Sequence, residues 1–117
     1  MLELQPGEEL DRLVAEKVMG AVFADGGEWF IDSMGPARRS NDSGFAWELW
    51  NPSTDIAQAW EVAEKLRERY GVQINLFQHD RCQCIVGDRE FADIADEWAD
   101  TAAHAICLAA LKAVANG

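Results

Sequence analysis

The stretch Thr101–Ala115 constrains this chain more than any other. It is apolar on nearly every side and is broken only by His104 and Lys112. It reads as a helix, and a helix apolar all round has to be buried rather than laid on a surface. It is too short to span a membrane. A buried helix needs neighbours, so the rest of the chain has to supply layers of cover around it. Asp100 or Thr101 is placed to cap its start.

Those neighbours can be read in order. Glu8–Met19 carries Leu10, Leu13, Val14 and Val18 at helical spacing, and Gly20 supplies a stop. Glu28–Ser33 has strand character, with Trp29 and Ile31 facing one way. Met34–Ser43 holds Gly35-Pro36, Arg38-Arg39 and Asn41-Asp42-Ser43 and reads as a loop. Gly44–Trp50 alternates, with Phe45, Trp47 and Leu49 on one face and Ala46, Glu48 and Trp50 on the other. A second helix follows the cap candidates Ser53, Thr54 and Asp55, with Ile56, Ala59, Trp60, Ala63, Leu66 and Tyr70 as its buried stripe. Glu61 and Lys65 stand four apart, in the favourable order for an ion pair.

Val72–Gln78 and Arg81–Gly87 read as a hairpin turning at His79-Asp80. With those two residues as the turn, Val72, Ile74, Leu76 and Ile85 share one face. Phe77, Cys82, Cys84 and Val86 share the other. Two apolar faces ask for cover on both, so helices are expected above and below the sheet. In Asp88–Asp100 the residues Phe91, Ile94, Ala95 and Trp98 fit helical spacing better than alternation, although the first half also suits an edge strand. This gives an α+β fold, one domain over residues 1–117, with an antiparallel sheet of about four strands between helices.

Composition narrows the function. Among 117 residues, 21 Asp+Glu against 10 Lys+Arg leave a net charge of −11. That excludes a nucleic-acid binder with a broad basic face and argues against an anionic membrane surface. The N-terminus lacks the basic-then-apolar order of a signal peptide. Three cysteines, Cys82, Cys84 and Cys107, are an odd set best read as reduced. A cytoplasmic protein is expected.

Two groups of segments carry a resemblance. Leu13–Gly20 followed by Pro52–Val62 is one, and Ala99–Ala102 with Ala105–Ala113 is the other. Together they resemble the phage ABA-sandwich domain family of small bacteriophage and prophage proteins. The likeness runs in order over nearly the whole chain. The chain departs from the pattern at Ala103 and His104, where the family suggests Pro and an aliphatic residue, and in Asp88–Trp98, which is longer and more acidic. The resemblance implies a sheet between helical layers, and it carries no settled enzymatic activity. It suggests an accessory protein of the host-cell cytoplasm that counters bacterial defence by sequestering a nucleotide-type immune signal.

Against that expectation the candidate residues fall into five groups. The helix starts Ser53-Thr54-Asp55 and Asp100-Thr101 offer free amides to a phosphate, with Trp47, Trp50 or Trp60 to stack a base and His104 nearby; plain capping is the alternative. Arg38 and Arg39 in a mobile loop suit a phosphate clamp, or else merely offset the acidic surface. His79, Cys82, Cys84 and His104 are metal-ligand types, but no second Cys pair exists and an apolar strand face explains the thiols, so no metal is expected. No nucleophile–base pair or phosphate loop marks an enzyme, and no cofactor is expected. The run Asp88–Asp100 holds six carboxylates against Arg89, a local charge of −5. It is a solvated face or a mimic of nucleic-acid phosphates aimed at a host defence protein. A small structural or assembly factor is the plainest alternative. The expected partners are a small nucleotide-type ligand and further copies of the chain, without membrane or direct nucleic-acid binding.

Overall fold

In the computed structural model, residues 4–24, 27–39, 47–78, 81–88 and 92–116 are described. The predicted central helix forms α3 (Ala102–Asn116). The Thr101 hydroxyl accepts from the His104 amide at 3.1 Å, so Thr101 rather than Asp100 caps it. Ala103 and the whole run Ala105–Ala110 are buried. α3 packs against β5 (Cys82–Gly87) and β6 (Asp93–Ala99), and also against α1 (Glu8–Lys17) and α2 (Ile56–Leu66). α1 packs in turn on β2 (Gly35–Arg39).

The strands form two antiparallel three-stranded sheets. One has the order β1 (Trp29–Asp32), β2, β3 (Trp47–Leu49), and the other the order β4 (Gly71–Leu76), β5, β6. The α+β class holds, with six strands in two sheets rather than about four in one. The first sheet packs on α1 through β2, the second on α3 through β5 and β6, and α1 and α2 both pack on α3.

Four local readings are corrected. Part of the expected loop, Gly35–Arg39, is the central strand of the first sheet. Gly35 takes a φ of 133°, and Trp29 and Arg38 stand opposite each other, so the hairpin turns early at Ser33-Met34. Asp93–Ala99 is strand, where the apolar spacing favoured helix but left helix or strand open. A bulge between Val86 and Gly87 absorbs one residue, which is why its apolar residues do not alternate cleanly. Along α2 the buried side is Gln58, Ala59, Val62, Ala63 and Leu66, while Ile56 and Trp60 are exposed. Glu61 reaches Arg38 and Lys65 reaches Glu68, so the expected pair within α2 does not form.

The fourth correction is one of register. Leu76 stands opposite Cys82, Ile74 opposite Cys84 and Val72 opposite Val86. The Phe77 amide donates to the Arg81 carbonyl at 2.9 Å. The connection is therefore one residue longer than a turn of His79-Asp80, which themselves lie outside the described residues. A one-residue slip exchanges the faces of a strand. Val72, Ile74, Cys82, Cys84 and Val86 all face the helices, and Gln73, Asn75, Gln83 and Ile85 face outward. The outer face no longer needs a helical cover.

Candidate functional site

The expected phosphate clamp is built into the core instead. The Arg38 guanidinium lies 4.7 Å from the Trp50 ring centre and 5.7 Å from that of Trp29. The two indoles meet edge to face at 5.3 Å. Arg38 also donates to Glu48 across the strand pair and to Glu61 of α2, the latter at 3.0 Å. Burial works against its charge, but the two carboxylates outweigh that and leave its pKa above the ordinary value. Trp50, only 1 % exposed, is a core residue rather than a stacking group. Arg39 donates to the Gly27 carbonyl at 2.9 Å and lies 5.0 Å from the Phe30 ring, which in turn meets Trp47 edge to face. Both arginines thus have partners within the chain.

The helix starts are filled in the same way. Asp55 accepts from the amides of Ala57 and Gln58. Thr54 exchanges hydrogen bonds with Asn51. Ser53 is buried, accepts from the Gly7 amide at 2.9 Å and donates its own amide to Asp11 at 2.8 Å. Burial raises the Asp11 pKa, and the hydrogen bonds from Ser53 only partly offset this. His104 is buried with Nε2 2.8 Å from the Leu4 carbonyl, so that nitrogen carries the proton and donates. Trp47 and Trp60 stay open to solvent, 48 % and 54 % exposed, as do Thr54 and Thr101.

The metal-type residues do not assemble either. Cys82 and Cys84 are buried on the helix-facing side of β5, and among the described residues no group of three ligand types could hold an ion. Burial pushes the Cys84 thiol up to about 12, so it is inert at neutral pH. In the acidic run, Glu97 is buried and paired with Lys112 of α3, while Asp96 accepts from Gln83 at 2.8 Å. Within the strand, Asp93 and Asp96 lie on the exposed outer face and Glu97 on the helix-facing side.

The feature that sequence reasoning missed is a cleft of about 620 Å³ where the three helices end. Lys17 closes α1, Lys65 and Leu66 close α2, Arg69 and Tyr70 lead into β4, and Val114 lies in the last turn of α3. Val18 and Leu66 are its buried floor. Among the described residues, every other Lys or Arg has a carboxylate, carbonyl or aromatic partner. Lys17 and Arg69 have none and both line this cleft, with Lys65 held only loosely by Glu68 at 3.4 Å. The sequence signal was a basic residue in the last turn of each of two helices, separated by nearly 50 positions and meeting only once the helices align.

A family model for the phage ABA sandwich domain matches residues 12–111. The chain belongs to this family. No curated protein and no solved structure matches it. The ABA-sandwich match takes in Lys17, Lys65, Arg69 and Tyr70 and ends just before Val114. Among the described residues, no helix of this phage-family domain is long and apolar enough to cross a membrane.

Proposed function

We propose that this protein is a non-catalytic phage or prophage accessory protein that binds and sequesters a small nucleotide-type anion in the cleft at the helix ends. The observation that carries the reading is the convergence of Lys17, Lys65 and Arg69 in a chain of net charge −11. The volume falls within the usual range of small-molecule sites, about 300–1,000 Å³. Phosphate oxygens fit the three cations, and a base or sugar fits the Tyr70 ring and the Val18, Leu66 and Val114 side chains.

The charge balance sets the expected strength. Three cations face Glu68 and three helix C-termini of about −0.5 charge each. The local surplus is small, so phosphate attraction alone gives weak binding and the apolar floor has to supply the rest. The same balance limits how many phosphates fit, and it favours one or two over a long polyphosphate.

Protein purified from phage-infected cells, then denatured and filtered, tests this by mass spectrometry of the released small molecules. A phosphorylated nucleoside recovered chemically intact and in near-stoichiometric amount is the expected result. Recovery of a cleaved product would contradict the non-catalytic reading. Co-purification of a basic host protein, lost at high salt and with no nucleotide released, would favour an acidic inhibitor instead.

A further inference from the structure

The outer face of β4–β6 carries unlike features at its two ends. At one end Phe77 stacks on Trp98, with ring centres 5.3 Å apart and planes 24° apart, and the Arg81 guanidinium lies 5.0 Å from the Trp98 ring. Phe77 and Trp98 are 53 % and 42 % exposed, so this end is an aromatic knob topped by a cation. At the other end Gln73, Ile85, Gly87 and Asp93 line a shallow depression of about 520 Å³. The register separates the two, since Gln83 stands opposite Trp98 and Gly87 opposite Asp93. Between them Asn75 donates to Gln83 at 2.9 Å and Gln83 donates to Asp96 at 2.8 Å, which ties the three strands together across the middle.

We infer that this face is a self-association surface whose occupant is a second copy of the chain. A twofold axis lying between the two outer faces, across the strands, turns one copy end for end. Each Phe77–Trp98 knob then enters the depression of the other copy, and each Arg81 meets Asp93 of the other copy. The contact is isologous and closes at two subunits. Charge selects this orientation, because stacking the sheets without the reversal would lay the central strands over each other and set Arg81 against Arg81, while Asp93 on the edge strand β6 would face β4 and find no cation. Exposed aromatic side chains and arginine are the residue types enriched in such contacts.

The footprint sets the strength. Three strands about 4.8 Å apart and six residues of about 3.4 Å each cover roughly 300 Å² per copy. A standard stable interface buries about 800 Å² per partner. The dimer is therefore micromolar or weaker, and it forms independently of any ligand in the helix-end cleft.

Sedimentation velocity on the full chain from about 1 µM to about 1 mM spans that range. The expected result is a monomer that becomes a dimer as concentration rises. R81E and D93R each weaken the dimer about tenfold, R81E/D93R together recover it, and W98A abolishes it. Both charged positions are exposed, and far-ultraviolet circular dichroism checks that each variant is folded. Three results would overturn the inference: a monomer at every concentration, a dimer that neither reversal moves, or single losses that the double variant does not recover.

Discussion

At the scale of single residues, side chains that looked free in the sequence proved to be engaged. Arg38 was legible as a basic residue beside Gly, Pro and Ser but not as the tie between two indoles and two carboxylates. Its partners Glu48, Trp50 and Glu61 come from elements whose docking no local pattern reveals. Replacing Arg38 with Met should lower stability by about 1–2 kcal/mol, through the lost cation–π contacts and the carboxylates left facing each other. Urea unfolding measures this, and nucleotide binding should be unchanged in the same variant. Asp11 gives a pH test. Its pKa is raised in the fold, so its contribution to stability is full below the ordinary carboxylate value of about 3.9 and is lost as pH rises through the higher folded value. Asn at this position keeps an acceptor for the Ser53 amide but does not ionise. The stability of Asp11→Asn relative to the parent should therefore grow as pH rises from about 4 to neutrality. A gap that stays constant over that range would contradict the role given to burial.

At the scale of elements, the helices were legible and the strands only partly so. α1, α2 and α3 carry clear periodicity or apolar density with Gly, Asp or Thr at their ends, and their limits fall within a few residues of those expected. β2 was hidden because Gly-Pro and paired arginines mimic a loop when the strand is short and its arginines are satisfied by neighbours. β6 was hidden by its bulge, which shifts the apolar spacing from two towards three or four. The hairpin register was missed because alternation within each strand, Val72, Ile74 and Leu76 in one and Cys82, Cys84 and Val86 in the other, does not fix the length of the turn that pairs them. Glu97 shows what the correct element assignment adds. It lies on the helix-facing side with Lys112, whereas its neighbour Asp96 lies on the outer side. Glu97→Gln should cost roughly 1–2 kcal/mol, discounted because the Lys112 side chain is half exposed, while Asp93→Asn should stay within about 0.5 kcal/mol. Thermal unfolding of the two variants compares them directly. At the start of α2, Asp55→Ala should cost about 1 kcal/mol through the lost cap on Ala57 and Gln58.

At the scale of the whole molecule, the apolar α3 organises everything around it. It holds one sheet directly, meets α1 and α2, and reaches the other sheet through α1. The need for a central buried helix was legible from Thr101–Ala115 alone. The resulting alignment of helix ends was not, because it depends on which ends the connections bring together. That alignment gathers Lys17, Lys65 and Arg69 into one cleft, the anion site proposed for this acidic chain. Isothermal titration calorimetry of the parent and of K17E/R69E against a panel of cyclic and linear nucleotides tests this most directly. Both substituted side chains are exposed, and each reversal at a helix C-terminus should cost only about 0.3–1 kcal/mol of stability, so the variant should remain folded. The prediction is saturable heat with at least one nucleotide for the parent and a loss of affinity of tenfold or more, about 1.4 kcal/mol, for the variant. No heat with any nucleotide at protein concentrations of about 100 µM, or equal affinity in the two proteins, would contradict it.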